Sequence, residues 1–401
     1  MGWPKPDSKV NPLYRTCLLL GVVLLCWQIP ACGTGPSERE LCHILRASWQ
    51  SYCLSYISPE GRVIIPEQGG GTISEAQAYA LLRALWADDE QTFARVYAWT
   101  WQNLSRVKKF GDHLLAWQWG KKDDGSCGVI DWHTATDGDL DYALALQLAG
   151  RRGWRVPPPL PDYSEEARQV LHDILDKEVV SLPNGTLVLT PGNWHENAPP
   201  YLLNPSYFSP GFYPLFHLLR PDARWARLQD DTYRLLQELR NKMDQAPGVG
   251  LFPNWCRIEA DGRLAPAPGR DNHFGWDAVR LPYRLALDAL WHRNPQAVQL
   301  LADTILPFAK KEWHLRGRLA AIYTYRGQSL APFESPVIYA GVLAAALAVN
   351  DKPFAHEMAR KILSFYRQYG RLAYFMAPEN YYDNNWAWLG LALYAGWVRV
   401  F

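Results

Sequence analysis

The feature that most constrains the fold of this chain is an alternation between two kinds of helical segment. From Ser37 onward, the spacing of apolar residues predicts about twelve helices, starting near residues 38, 74, 90, 138, 164, 208, 222, 276, 295, 335, 353 and 383. The segments near 74, 138, 208, 276, 335 and 383 are rich in Ala, Gly, Leu and Tyr, as buried helices are. Their partners are amphipathic. Six such pairs predict an all-α toroid of six inner and six outer helices.

Polar side chains recur where the predicted inner helices start. They are Glu75, Asp137, Tyr207, Asp277, Glu334 and Asp383. We expect these six helix starts to surround one opening of the toroid. Capping and the helix dipole also favour Asp and Glu in a first turn, so the acids alone do not establish a site. Capping does not explain the aromatic residues beside them.

Long aromatic connections lie at the same predicted end. Residues 106–134 and 181–207 are two of them, and Asn184-Gly185 predicts a hairpin in the second. The aromatic residues at or near this end include Trp117, Trp119, Trp132, Trp194, Tyr201, Tyr207, Trp255, Trp276, Tyr381 and Tyr382. Each ring alone is explained by core packing, but together they predict a groove for a long neutral glycan.

The amino terminus predicts export. Lys5, Lys9 and Arg15 precede an apolar run over residues 17–27, which is shorter than a usual membrane span. We expect a signal peptide over residues 1–31 and a periplasmic or secreted protein. The residues before Cys32 resemble a lipobox, so lipidation of Cys32 and ordinary cleavage both remain open. Residues 32–37 would be a short tether to a single domain over 38–401.

Charge argues against a polyanionic partner. The formal net charge is +1, and removal of the predicted signal peptide takes away three basic residues and one acidic residue, leaving −1. A chain without a basic stripe lacks the attraction that drives nucleic-acid binding. The same argument applies to strongly acidic polysaccharides. A neutral ligand fits better.

The cysteines do not predict a metal site. Beyond the signal region they are Cys32, Cys42, Cys53, Cys127 and Cys256, without the paired short spacings of zinc ligands. Cys42 and Cys53 would lie on one helix about 16 Å apart, too far for a disulfide. We therefore predict no metal and no cofactor.

The helix that starts near residue 74 carries the first candidate acid, Glu75. Thr72 and Glu75 have the spacing of a capping box, in which Glu75 would be structural. The alternative is a catalytic acid, because the small residues that follow Glu75 make a slim helix that neighbours can approach closely. The rest of the chain has to decide between the two.

Two further stretches carry acids. Residues 134–150 place Asp137, Asp139 and Asp141 at a helix start without the spacing of a calcium loop. Asp139 has a capping spacing from Thr136, which would leave Asp137 facing the opening. In the stretch 274–284, Asp277 and Arg280 lie one helical turn apart, so an ion pair is expected, and Arg280 would lower the pKa of Asp277.

Two carboxyl groups with opposite protonation can hydrolyse a glycosidic bond. Glu75 raises a conflict, because a helix N-terminus lowers a carboxyl pKa while an acid catalyst needs it raised. Burial or a nearby Asp137 charge would have to outweigh the helix.

Five motifs resemble glycoside hydrolase family 8. In the order of that family they are I-S-E-A-Q-A-Y at 73–79, A-T-D-G-D-L-D-Y-A at 135–143, N-P-S-Y-F-S-P at 204–210, W-D-A-V-R-L-P at 276–282 and Y-Y-D-N at 381–384. Within the family, the chain looks most like the periplasmic endoglucanase that accompanies bacterial cellulose synthase. The resemblance implies an (α/α)6 barrel and an inverting endo-β-1,4-glucanase.

The resemblance also implies roles for individual residues. Glu75 would be the proton donor, Asp277 the base that activates water, and Asp137 an acid that binds and distorts the sugar. Tyr207 and Arg280 would position the water and the base.

Further residues are expected to bind the glucan. Trp132 would be a stacking platform, and the other predicted contacts are Trp194, Tyr381 and Tyr382. The branch resemblance also implies a link to cellulose synthesis and export, with the synthase machinery as a partner.

Four residues depart from common family patterns, namely Ala76, Gln77, Asn385 and Trp386. We expect them to change the shape of the groove rather than the chemistry. Chitosan and mixed-linkage glucan therefore remain alternative substrates. A glycan-binding lipoprotein without catalysis is the alternative outside the enzyme class.

Overall fold

The computed structural model describes residues 36–401 except 244, 245 and 248. The predicted signal peptide at 1–31, Cys32 and most of the tether fall outside these residues. The described part contains fourteen α-helices. They are α1 Glu38–Tyr56, α2 Ser74–Trp86, α3 Glu90–Leu104, α4 Val107–Phe110, α5 Thr136–Arg151, α6 Tyr163–Lys177, α7 Tyr213–Leu219, α8 Ala223–Asn241, α9 Leu281–His292, α10 Pro295–Asp303, α11 Ile305–Arg316, α12 Pro336–Ala348, α13 Lys352–Ser364 and α14 Tyr381–Tyr394.

The inner ring consists of the apolar helices α2, α5, α7, α9, α12 and α14. In α2, every residue except Glu75 is buried, and in α12 the buried residues run without a break from Pro336 to Ala346. Helices that are apolar all round must be covered on all sides. The amphipathic helices α1, α3, α6, α8, α10, α11 and α13 provide the outer layer. The predicted all-α (α/α)6 barrel is confirmed.

Neighbouring inner helices close the ring. Helix α2 packs on α5, α9 on α12, α12 on α14, and α14 on α2. Gln147 in α5 donates its side-chain amide to the Leu215 carbonyl of α7 over 2.6 Å. Just before α7, a Cβ at Gly211 would lie 2.7 Å from the Asp288 nitrogen of α9, so only glycine permits this approach. The outer helix α1 lies beside α14, where the indole of Trp388 donates to the Leu45 carbonyl over 2.9 Å.

Three predicted helix boundaries differ from the structure. Helix α9 starts at Leu281, later than predicted, because a 3-10 turn over Ala278–Arg280 precedes it and Pro282 occupies its first turn. Helix α7 is short and follows a separate 3-10 turn over Pro205–Tyr207. The single helix predicted near 295 is divided into α10 and α11 at Thr304, whose hydroxyl donates to the Leu300 carbonyl over 2.6 Å.

Short strands tie the connections together. They are β1 Thr72–Ile73, β2 Gln118–Lys121, β3 Cys127–Asp131, β4 Val179–Ser181, β5 Leu187–Leu189, β6 Tyr201–Leu203, β7 Lys242–Met243, β8 Ala246–Pro247, β9 Cys256–Ile258, β10 Leu264–Pro266, β11 Tyr366–Tyr369 and β12 Leu372–Phe375. All pairings are antiparallel, including the sheets β1-β2-β3 and β10-β9-β6. The predicted hairpin at Asn184-Gly185 is confirmed, because it joins β4 to β5.

None of the helices in the described ranges has both the length and the apolar character needed to cross a membrane. Cys42, Cys53, Cys127 and Cys256 are free thiols.

Candidate active site

Glu75 lies in the first turn of α2, and the strand before it fixes that start. Ile73 in β1 pairs with β2, and the Ser74 nitrogen donates to the Trp117 carbonyl over 2.9 Å. The hydroxyl of Thr72 donates to the Val63 carbonyl over 2.6 Å, and α2 has no side-chain cap. The capping-box interpretation is therefore wrong. The Glu75 side chain, 12% exposed, contacts a guanidinium instead.

That guanidinium belongs to Arg280, which joins three carboxylates. Its Nη1 donates to Glu75 and, over 3.0 Å, to Oδ2 of Asp137. Its Nη2 donates to Oδ1 of Asp277 over 2.8 Å, which is the ion pair expected from the sequence. Arg280 itself is 2% exposed. The structure thus brings the three predicted acids together from α2, α5 and the turn before α9.

Burial decides the protonation of Glu75. It raises the pKa of Glu75 to about 8, with Arg280 opposing the rise and the negative charges of Asp137 and Asp277 adding to it. One guanidinium cannot neutralise three carboxylates, so a proton on Glu75 relieves the repulsion. The conflict noted in the sequence is resolved in favour of a protonated acid at neutral pH.

Asp277 is the most exposed of the three acids, at 21% of its side chain. Burial raises its pKa above the ordinary value, while Arg280 and a hydrogen bond from Trp255 lower it. The expectation of a lowered pKa is wrong in net direction, because burial outweighs the arginine. The indole nitrogen of Trp255 donates to Oδ2 over 3.1 Å. Both oxygens of Asp277 thus accept hydrogen bonds that favour the ionised form.

Asn254 holds the backbone around Asp277, and no sequence motif predicted this role. Its side-chain oxygen accepts from the backbone nitrogens of Gly275, Asp277 and Ala278 over 3.2, 3.1 and 2.8 Å. Its amide nitrogen donates to Asp271 over 2.9 Å. Asn254 is 3% exposed. Its only sequence signal was its place before Trp255 in an aromatic loop.

Ser206 and Asn204 support the other side of Arg280. Nη2 of Arg280 donates to Oγ of Ser206 over 2.9 Å. Oδ1 of Asn204 accepts from the hydroxyl and the backbone nitrogen of Ser206 over 2.7 and 3.1 Å. Both residues lie in the N-P-S-Y motif, although the sequence singled out only Tyr207. The Tyr207 ring lies 5.4 Å from the guanidinium carbon and packs edge-on against Trp255.

The side chains of the adjacent tyrosines Tyr381 and Tyr382 pack in different parts of the molecule. Tyr382 packs on Trp276, and its hydroxyl donates to the Trp276 carbonyl over 2.6 Å, next to Asp277. Tyr381 is 2% exposed and shares a 3.2 Å hydrogen bond with the hydroxyl of Tyr52 in α1. The prediction that Tyr381 binds substrate is therefore corrected, because its ring packs in the core. Adjacent side chains on a helix point about 100° apart, so Tyr381 and Tyr382 cannot face the same way.

Trp132 and Trp194 flank the start of α5. The ring of Trp132 is half-buried, with Lys109 Nζ 4.4 Å from its centre. The indole nitrogen of Trp194 donates to the Thr134 carbonyl over 3.1 Å. Their stacking on sugar stays a prediction.

The remaining predicted helix-start acids are structural. Glu334 pairs with Lys361 of α13 over 3.0 Å, so it turns toward the outer layer and not toward the opening. Asp383 is 8% exposed and accepts from the hydroxyl of Ser335. Asp139 accepts from the Leu115 nitrogen over 2.8 Å, as expected for a structural acid. Its proposed capping partner Thr136 donates elsewhere, to the Thr190 carbonyl.

The departures from the family pattern lie in the core. Gln77 is 0% exposed, and its amide accepts from the Val63 nitrogen over 2.6 Å and donates to Thr100 over 2.7 Å. Asn385, also 0% exposed, accepts from Arg83. The expectation that these residues shape the groove is wrong, because both side chains are enclosed between helices. Trp386 is 1% exposed.

Comparison with known proteins places the chain in a family. The model of the glycosyl hydrolases family 8 matches residues 37–392. The chain belongs to glycosyl hydrolase family 8. The resemblance inferred from the motifs is confirmed, and the match includes all five of them.

Relatives in family 8 carry endoglucanase names. An endoglucanase of Salmonella typhi is 34% identical over 257 residues, which are 64% of this chain and 65% of that protein. The match therefore spans slightly less than two thirds of that relative. Endoglucanase A of Acetivibrio thermocellus is 26% identical over 358 residues, covering 83% of this chain and 68% of that protein. The endo-β-1,4-glucanase CMCax of Acetobacter xylinum has a TM-score of 0.67 at 25% identity, covering 88% of this chain and 98% of that one.

The family 8 site contains no arrangement that suggests a metal. In the part of the chain that the structure describes, no three His, Cys, Asp or Glu side chains form a group that could hold an ion. The space among the three acids is instead crossed by Arg280.

Proposed function

We propose that this family 8 protein is an inverting endo-β-1,4-glucanase. The observation that carries the proposal is the shared contact of Glu75 and Asp277 with opposite nitrogens of Arg280, with burial raising the pKa of Glu75 to about 8. An inverting glycosidase needs one protonated and one ionised carboxyl group across the scissile bond. The endoglucanase names of the relatives agree with this substrate.

In the proposed reaction, the glucan chain lies over the three acids. Glu75 gives its proton to the glycosidic oxygen as the bond to the anomeric carbon breaks. Asp277 takes a proton from a water that attacks the same carbon from the opposite face, so the new hydroxyl has inverted configuration. The two carboxyl groups must stand about 6.5–9.5 Å apart around the sugar and the water.

The other residues orient the reactants. Arg280 fixes Asp277 and Asp137 by direct hydrogen bonds, and Tyr207 beside it would hold the attacking water. Asp137 would bind the sugar at the cleavage point. Trp132, Trp194 and Tyr382 would provide the aromatic surface for neighbouring sugar units.

The proposal extends to the cellular setting. The protein is exported by its amino-terminal segment to the periplasm, is anchored by lipid on Cys32, and trims glucan during cellulose synthesis. Mass spectrometry of the protein from membranes tests the anchor. A mature chain that starts at another residue without lipid would contradict it.

Anomer analysis tests the reaction. Proton NMR during hydrolysis of cellopentaose should show the α-anomer first, because inversion of a β-bond gives an α-product. Carboxymethylcellulose, mixed-linkage glucan and chitosan in parallel identify the preferred backbone. A first product in the β-form would refute inversion. Saturable binding without new reducing ends would indicate a binding protein instead.

A further inference from the structure

Arg83 in α2 is a buried cation of an unusual kind. In the described part of the chain, four arginines are buried, namely Arg83, Arg106, Arg280 and Arg284. Three of them form ion pairs with Asp or Glu. Arg83 is 1% exposed and has no carboxylate partner among the described residues. Burying an unpaired charge is costly, so something has to offset it.

Aromatic rings offset part of this cost. The guanidinium carbon of Arg83 lies 4.0 Å from the ring centre of Tyr52, 4.8 Å from that of Trp388 and 5.5 Å from that of Trp49. Cation–π contacts stabilise a buried cation but do not accept its hydrogen bonds in the plane of the guanidinium. Burial lowers the pKa of Arg83 to about 10, which leaves it charged at neutral pH.

Around Arg83, hydrogen-bond donors outnumber acceptors. Nη1 donates to the side-chain oxygen of Asn385 over 3.2 Å. Nε of Arg83 and Nδ2 of Asn385 are both buried without a partner among the described residues. An arginine offers five N–H donors and no acceptor. A group that binds to Arg83 would therefore have to accept hydrogen bonds.

A small cavity adjoins Arg83, between α1, α2 and the β12–α14 connection. Hydroxyl groups form much of its wall, from Ser48, Ser51, Ser55, Tyr52 and Tyr56. Ser51 accepts from the Ala373 nitrogen over 2.9 Å, and its hydroxyl proton has no acceptor within the part of the chain that the structure describes. The enclosed part of the cavity has room for about one water or one monatomic anion.

We propose that this cavity binds a single chloride ion held by Arg83 and Ser51. The ion brings a negative charge to Arg83 and accepts hydrogen bonds from its guanidinium and from the hydroxyl of Ser51. It lies where the first helix α1 meets α2 and α14, so its binding stabilises the closure of the barrel and takes no part in glycan hydrolysis.

Thermal unfolding tests the proposal with the whole protein. Sodium chloride should raise Tm by at least about 1–2 °C relative to sodium methanesulfonate at equal ionic strength, with saturation, since methanesulfonate is too large for the cavity. Arg83→Met should lose this chloride-specific rise whatever its own Tm. Arg240→Met is the matched control, because Arg240 pairs with Asp303 at the surface, and it should keep the rise. Equal Tm values of the unchanged protein in both salts would overturn the proposal, as would a chloride effect that survives in Arg83→Met.

Crystals grown in sodium bromide test the position directly. An anomalous peak within about 3.5 Å of the Arg83 guanidinium is expected, because bromide replaces chloride at such sites and scatters anomalously. A water at that position without anomalous signal would show that the cavity is only hydrated, and would refute the chloride site.

Discussion

The chain segments of α5 and α9 meet in two charged layers that differ in one respect. At the opening, Asp137 meets Arg280, and one helical turn deeper Asp141 meets Arg284. The deeper pair is one acid with one arginine, with side chains 0% and 4% exposed. The outer layer adds Glu75 and Asp277 to the same arrangement, so three acids share a single arginine.

The two layers contain the same pairing of Asp with Arg, and they differ in the number of carboxylates that share the arginine. In the deeper layer one guanidinium balances one carboxylate through two hydrogen bonds, and Arg284 opposes the rise that burial causes in the pKa of Asp141. A surplus of carboxylates around one guanidinium favours uptake of a proton, and the partial exposure of Asp277 leaves it in contact with solvent. The charge balance, more than the residue types, separates the two layers.

The largest expected effect comes from the outer layer. Glu75→Gln should lower kcat on carboxymethylcellulose by about 10³-fold, because the amide keeps the shape and cannot give a proton. Binding of cello-oligosaccharides, measured by calorimetry, should persist. The control is Gln77→Glu, a change of similar size on the same helix that should cost stability rather than chemistry. Near-normal turnover by Glu75→Gln would remove it from the acid role.

Substitutions in the deeper layer should lower the free energy of unfolding. Asp141→Asn leaves Arg284 buried and unpaired, which should lower the free energy of unfolding by about 3–5 kcal/mol in guanidinium titrations. The double variant Asp141→Leu with Arg284→Met should recover most of this loss, because neither charged side chain of this pair is then buried. The comparison fails if Asp141→Asn unfolds at the denaturant concentration of the unchanged protein.

Asn254 tests the outer layer, because it holds the backbone that carries Asp277. Asn254→Ala removes the acceptor of three backbone N–H groups and should displace Asp277, lowering kcat by up to about 10²-fold with KM little changed. Asn103→Ala, on the outer helix α3, is the control. A proportional rise in KM without a change in kcat would assign Asn254 to substrate binding.

The smallest expected effect is a shift in the pH profile of kcat/KM. Activity of the unchanged protein should fall as pH rises through about 8, because Glu75 must be protonated. It should fall at low pH as Asp277 is protonated, at a pKa above the ordinary one. Trp255→Phe removes a hydrogen bond to the ionised form, so the acid limb should move to higher pH while the alkaline limb stays. An unmoved acid limb would show that Trp255 does not act on Asp277.

Periodicity predicted the barrel because a helix apolar all round must be an inner one. It could not place boundaries where local geometry interrupts the pattern, as at Thr304 or in the turn before Leu281. Adjacent residues on a helix also point in different directions. The motif Tyr381-Tyr382 did not indicate which of the two rings enters the core.

The contacts of the site were predictable between residues close in the sequence, and not between residues that only the fold brings together. Asp277 and Arg280 could be paired from their spacing, since they are one turn apart. The contact between Arg280 and Glu75 spans 205 positions, and no spacing rule reports it. The net direction of the Asp277 pKa was missed for the same reason, because burial is a property of the folded barrel.

The seam between α1 and α14 has a consequence for how the protein is made. Leu45 and Trp388 are 343 positions apart, so their contact can form only when almost the whole polypeptide has left the ribosome. Until then, the faces of α2 and α12 that α14 covers are exposed to water. The three acids of the site precede α14 in the sequence, so they have already been synthesised at that stage. An unfinished chain therefore presents a long apolar strip, which is the kind of surface that holding chaperones bind.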